Sequence, residues 1–204
     1  MYEVLPLNDS PARADIIEKL IRKVCLFDTV FSDFKETCQD KCFENKEMSE
    51  LCPLCFLRMQ VVSVALSTGL TWEVWKTQEE PELVGIIRLS DIRPGSDATG
   101  HYIFFDNDLR GKTEVIRRVI KWAFQDHDEG WQALRRITIT VPDFAFALVR
   151  HATRKLGFGG EFSYRLKGKV VPVEGVKRKA IMWRGDARDV LQLGLMNSAK
   201  QVSE

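Results

Sequence analysis

The order of extended and helical stretches between Leu70 and Val141 constrains this chain more than any other feature. "TWEVWK", "ELVGIIRLSDI" (Glu82 to Ile92) and "HYIFF" are strand-like runs separated only by "QEEP" and "RPGSDATG". Runs joined by such short turns pair antiparallel. Helical spacing follows from Thr113 to about Gln125, with Val115, Ile116, Val119, Ile120 and Ala123 on one face. "RRITITV" (Arg135 to Val141) is extended again, and a strand–helix–strand unit is the usual crossover between parallel strands. Both kinds of connection in one chain predict an α/β (α+β) domain. Its sheet would be mixed and mainly antiparallel, with about six strands and flanking helices.

The flanks complete the expected layout. Pro142 and Asp143 open a helix that runs through Leu156 and stops at Gly157. "GEFSYRLKG" and "VKRKAIMWRG" read as the last two strands, with a turn near Pro172 to Gly175. "DARDVLQLGL" reads as a short C-terminal helix and "NSAKQVSE" as a tail. At the other end, Ser10 suits an N-cap and Pro11 a first helical position, so a helix is expected from Pro11 to about Leu26. A second helix, "LCFLRMQVVSVALSTG", would end at Gly69. The expected division is 1–70 for N-terminal helices with a cysteine-bearing insert, 71–185 for the sheet domain, and 186–204 for a C-terminal helix and tail.

Composition narrows the function classes. Of 204 residues, 45% are hydrophobic and 29% charged, enough for a buried core and unlike a disordered or coiled-coil chain. The formal net charge of +1 gives no overall attraction to nucleic acid, which is not expected as a partner. No apolar run approaches the roughly 18 residues that span a bilayer. "MYEVLPLNDSPARADI" lacks the basic and apolar regions of a secretory signal. A cytosolic, reducing compartment and no membrane association are the expectation.

Four of the five cysteines lie between Cys38 and Cys55. Cys52 and Cys55 form a Cys-Pro-Leu-Cys turn whose thiolates suit adjacent corners of a tetrahedron. Cys38 and Cys42 share a helix face and could supply the other two corners. A structural zinc site is one reading; free core cysteines and a redox pair are the others. Cys25, on the first helix, reads as core.

"FFDNDLRGKTEVIRR" carries the clearest sign of a ligand. A strand ends in a turn, and a basic-Gly-basic-Thr cluster then opens a helix. Backbone N–H groups at such a helix start, with its partial positive charge, form an anion site. With "ELVGIIRLSDI" and "HYIFFD" before it and "LVRHATRKLGFGGEFSYRL" after it, this stretch resembles the GCN5-related N-acetyltransferase (GNAT) family over roughly Thr71 to Trp183. "LRGKTEVIRR" is similar to that family's pyrophosphate loop, Arg/Gln-x-x-Gly-x-Gly/Ala. Lys155-Leu156-Gly157-Phe158 matches the end of its later helix.

The resemblance implies that two parallel strands splay apart and that the acyl-pantetheine arm of acetyl-CoA, or a similar thioester, lies in the gap. Phe104, Phe105 and Asp106 would align pantetheine, and Arg110, Gly111, Lys112, Thr113, Glu114 and Val115 would hold pyrophosphate. An amine acceptor would attack the thioester, a base would take its proton, and an acid, often a Tyr, would protonate the thiolate. Here Thr113 and Val115 stand where the family has Gly and Gly/Ala, and Glu114 adds a negative charge. Thr153 occupies the Tyr position and Phe146 the Asn position. These departures point to a rival reading, a catalytically silent component of a larger assembly such as a phage virion, held by protein partners.

His101 and Asp106 flank "YIFF" and are the candidate proton acceptors, with a strand-end histidine and a turn carboxylate as the plainer reading. Trp72 and Trp75 should point to opposite faces of one strand, and either of them, or Trp183, would line a cleft or pack in the core. The lysines of "KGK" and "VKRKA" fit a solvated edge hairpin, and "DHDEG" (Asp126 to Gly130) fits a polar loop or a cation ligand.

Overall fold

The computed structural model describes residues 1–7, 68–105, 111–128, 130–183 and 186–198, together with Ile16, Lys19 and Leu66. Seven strands form one sheet. In chain order these are β1 (Tyr2–Pro6), β2 (Leu70–Lys76), β3 (Glu82–Arg93), β4 (Asp97–Phe104), β5 (Arg136–Pro142), β8 (Gly175–Trp183) and β9 (Asp186–Met196). Their spatial order is β1-β2-β3-β4-β5-β9-β8. β6 (Phe162–Leu166) and β7 (Lys169–Val173) pair separately around a tight turn at Lys167 and Gly168, both at positive φ. Every pairing is antiparallel except β4 with β5, where helix α1 (Lys112–Ala123) makes the crossover. The mixed sheet expected from the connections is therefore present.

Helix α1 lies on one face and buries Val115, Ile116, Val119 and Ala123 against Ile87, Leu89, Ile137 and Ile139. Each fully buried Val or Ile contributes about 1.5–3 kcal/mol, so this face is firmly held. A second helix, α2 (Phe146–His151), starts later than its sequence suggested, because Asp143 and Phe144 form a turn. It continues as a wider π turn (Ala152–Leu156) and ends at Gly157 with φ 82, as the glycine predicted. Trp72 packs on this side, edge-on to Trp122 with centroids 5.2 Å apart. Trp75 packs on the opposite face with Ile103 and Phe105, around Leu7, Ile16, Leu66, Leu83 and Ile86.

Three expectations need revising. "DARDVLQLGL" is not a helix but strand β9, seated between β5 and β8. Val190, Leu191 and Leu193 are all buried there, so neither of the sheet's faces imposes the polar alternation that would have marked a strand. Residues 186–196 thus belong to the sheet domain rather than to an appendage. The chain also begins with a strand, β1, that its short "YEVLP" did not announce. The chain bends at Glu174, within the turn expected near Pro172 to Gly175, but a further turn at Lys167–Gly168 makes "KVVPV" a separate strand that pairs back on "FSYRL". Apart from Ile16, Lys19 and Leu66, each helical, the helices expected at 11–26 and before Gly69 lie outside the described residues, as do Cys25, Cys38, Cys42, Cys52 and Cys55. Among the described residues no helix is long and apolar enough to cross a membrane.

Candidate active site

The parallel pair β4–β5 is joined for only three rungs, Asp97–Arg136, Ala98–Ile137 and Thr99–Thr138. Beyond Thr99, β4 stays paired with β3 as far as Phe104–Gly85, and β5 stays paired with β9 as far as Pro142–Val190. The two strands therefore part from each other while each keeps its outer neighbour. Beyond Thr99–Thr138 no ladder joins the two inner edges, and a guest amide lying between them would stand where the next rungs would be. Phe105 N–H donates to Val84 O at 2.8 Å, so Phe105 faces β3. By the alternation of a strand, the main-chain groups of Tyr102 and Phe104 turn to the gap. Of the described pair expected to align pantetheine, the main chain of Phe104 faces the gap and that of Phe105 faces β3. The closed end of the gap is packed: a Cβ on Gly100 would lie 3.0 Å from Ile137 Cγ2 and 3.3 Å from Ile139 Cγ2.

At the open end, Gly111 caps α1 with φ 74, and no side chain caps the helix. That conformation costs an L-residue about 1–2 kcal/mol, which is why glycine stands here. The first-turn N–H groups point out of the helix start, the direction from which an anion would approach. The loop substitutions fall differently from their appearance in sequence. Val115 is buried in the core under the helix and does not crowd the loop. Glu114 is exposed, with Arg117 Nη1 3.7 Å away. Arg117 also donates to Lys155 O at 2.7 Å, and Arg118 to Tyr2 O at 2.9 Å. Lys112 is fully buried, its ammonium 4.9 Å from the centre of the Phe104 ring. Asp106 and Arg110 lie outside the described residues.

Two polar groups that sequence reading passed over meet at this gap. His151, on the last turn of α2, is buried; its Nε2 lies 3.0 Å from Thr113 Oγ1 and its Nδ1 3.4 Å from the Tyr102 hydroxyl. Desolvation, then Arg117 and Lys155, lower the His151 pKa, while burial pushes the Tyr102 phenol far above its ordinary value. Near neutral pH both are uncharged. Tyr102 is a hydrogen-bond donor here rather than a full proton donor. Thr153, at the expected acid position, bonds back to Val149 O at 3.0 Å and takes no part.

His101 lies on β4 two residues past the last parallel rung, and its side chain is exposed on the other face of the sheet from α1. The Ser90 hydroxyl donates to Asp91 Oδ2 at 3.1 Å and lies 3.0 Å from His101 Nε2. Although its side chain reaches solvent, enough protein surrounds the ring that desolvation lowers its pKa, helped by Arg88 and opposed by Asp91. A polar cleft of about 560 Å³ opens beside the joined rungs, lined by residues that include Asp91, Asp97, Thr99, Thr138 and Gln192. Asp97 is paired with Arg93 at 2.6 Å, and at the far side Glu174 is paired with Arg136.

The side chain of Trp183 lies outside the described residues. In "DHDEG", His127 stacks on Trp122 at 4.6 Å and Asp126 Oδ1 accepts the Ala133 N–H. Among the described residues no group of three or more His, Cys, Asp or Glu side chains could hold a metal ion.

No family model and no curated protein sequence matches the chain. Solved structures do. Spermidine N-acetyltransferase from Vibrio cholerae, in complex with CoA and spermine, is 14% identical over 97% of this chain and 96% of that one, with a TM-score of 0.58. Ribosomal-protein-S5-alanine acetyltransferase from Vibrio fischeri is 16% identical over 97% and 93%, also at 0.58. An N-acetyltransferase from Staphylococcus aureus Mu50 is 13% identical over 97% and 98%, at 0.55. Together with the parted parallel strands and the helix start at their mouth, these likenesses show that the chain has the fold of the GCN5-related N-acetyltransferases.

Proposed function

We propose that this protein transfers an acyl group from acetyl-CoA, or a similar thioester, to an amine. The observation that carries the reading is the β4–β5 pair that opens after three rungs with the start of α1, at Gly111, at its mouth. Pantetheine amides would replace the missing rungs along Tyr102 and Phe104, and the N–H groups after Gly111 would take the pyrophosphate. The amine nitrogen attacks the thioester carbon, the C–N bond forms and the C–S bond breaks. The nitrogen's proton passes to His101, and the thiolate leaves toward Tyr102, whose hydroxyl can stabilise it by hydrogen bonding. Acceptor and cofactor would approach from opposite faces of the sheet, the acceptor along the polar cleft that reaches Asp91, which is joined to His101 through Ser90.

The rival reading as a silent component of an assembly drew on the loop changes at Thr113, Glu114 and Val115 and on the missing acid at Thr153. Val115 is buried in the core and Glu114 is exposed beside Arg117, so the loop part of that argument weakens, while Thr153 still supplies no acid. Calorimetry with acetyl-CoA tests the proposal. Micromolar binding is the expected result, and no binding at millimolar cofactor overturns it.

A further inference from the structure

Ser90, Asp91 and His101 lie in a hydrogen-bonded row on the acceptor face, and the direction of its bonds is fixed by counting protons. A serine hydroxyl has one hydrogen, and a carboxylate has none to give. The Ser90 proton goes to Asp91 Oδ2 at 3.1 Å. Ser90 Oγ then has only lone pairs to offer His101 Nε2, 3.0 Å away, so Nε2 must carry the hydrogen. Were Ser90 to give its proton to Nε2 instead, its lone pairs would face the carboxylate at the same 3.1 Å, a repulsive contact in place of a bond.

The backbone is shaped for this row. Asp91 sits at φ 50, a left-handed conformation that few residues other than glycine adopt but that Asp tolerates. The β3–β4 register shifts between Ser90 and Arg93, so Asp91 belongs to a bulge. Bulges recur beside active sites because they re-aim a side chain, here the carboxylate that turns onto its neighbour's hydroxyl.

We propose that Ser90 and Asp91 are positioning residues that hold His101 as its Nε2–H tautomer and leave Nδ1 as the lone pair that takes the amine's proton. This rests on the acyltransferase reading above. In the step, the proton moves from the attacking nitrogen to Nδ1. The imidazolium formed keeps its Nε2–H bond to Ser90, and Asp91 stabilises its charge through that hydroxyl; neither Ser90 nor Asp91 gains or loses a proton. The charged groups around His101 are Arg88, directly across on β3, and Asp91. Arg88 donates to Thr68 O at 2.8 Å, and its positive charge across the strand pair favours the neutral base before the reaction.

The test is long-range proton–nitrogen NMR on the ¹⁵N-labelled full chain, which reads the tautomer with no substrate present. Wild type should show His101 as the Nε2–H form, Ser90→Ala a mixture, and Ser90→Thr a return to the Nε2–H form. A wild-type Nδ1–H form, or a tautomer unmoved by Ser90→Ala, overturns the proposal. Because this readout needs no cofactor, it is separate from the calorimetry: absent acetyl-CoA binding sinks the acyltransferase reading whatever the tautomer. In a transfer assay, Ser90→Ala should lower kcat about tenfold or more with KM for acetyl-CoA unchanged, and Ser90→Thr should restore most of the loss. A rise in KM with kcat unchanged would mark a binding defect and count against the relay.

Discussion

Replacing Gly111 by alanine separates the shape of the candidate cofactor loop from the stability of the fold. At φ 74 an alanine pays about 1–2 kcal/mol for the left-handed conformation. It recovers about 0.4–1 kcal/mol through the less flexible unfolded chain. Its Cβ would also lie 2.9 Å from Tyr2 Cε2, so the ring must shift a few tenths of an ångström, which a side-chain tip allows. The net loss expected is about 1 kcal/mol, read from urea midpoints. Gly168, at φ 76 in the β6–β7 turn with nothing within 4 Å of an added Cβ, is the matched control. Gly168→Ala should cost a similar amount. The two variants should part in calorimetry. If Gly111→Ala misaligns one N–H to pyrophosphate, a charge-assisted bond of about 1.5–3 kcal/mol is lost. Affinity for acetyl-CoA should then fall roughly 10- to 150-fold, with Gly168→Ala at the wild-type value. Equal affinity in both variants would refute the assignment of the anion site to the start of α1.

Three further outcomes are expected. His101 and His151 both have folded pKa values below the unfolded value of about 6.5, so the unfolded state binds more protons as pH falls below that value. Stability should hold above pH ~6.5 and decline as pH drops through the folded pKa values, and His151→Gln should flatten that decline in urea midpoints; an unchanged slope contradicts the buried neutral His151. Gly160→Ala would drive a methyl into the main chain of Val173 and Glu174, which cannot step aside as a side-chain tip can, so a loss of about 1–3 kcal/mol is expected in urea unfolding, and less than about 0.5 would contradict the packing. If Cys38, Cys42, Cys52 and Cys55 hold zinc, elemental analysis of protein purified without chelator should find about one equivalent, and less than about a tenth ends that reading.

The sheet's centre was legible because β2, β3, β4 and β5 combine apolar runs with short turns, and α1 shows a clean helical face. β9 was not, since a strand buried on both faces loses its alternation, and the leading Asp186 and Asp189 mimic a helix start. Gly194 was the available counter-signal: it sits where Glu174 crosses the backbone, a position no helix-based reading explains. At the candidate site, Gly111 and His101 could be picked out from local pattern. Tyr102 and His151 could not, because they are 49 residues apart and meet only when α2 docks over the gap. The Ser90–His101 bond likewise depends on cross-strand register, which turn residues and a bulge set together.

The wide turn at Ala152–Leu156 sets an angular phase. In an α-helix, residues five apart are rotated about 140° from each other, so His151 and Leu156 could not both face inward. Here both are buried, because the Gly157 N–H reaches back five residues to Ala152 O and overlays the two ends of the segment. One residue of length is therefore the adjustable element. Removing any one position from 152–155 would leave His151 and Leu156 four apart in an ordinary α-helix, about 40° from each other and both still inward, so the wide turn is what absorbs the one extra residue.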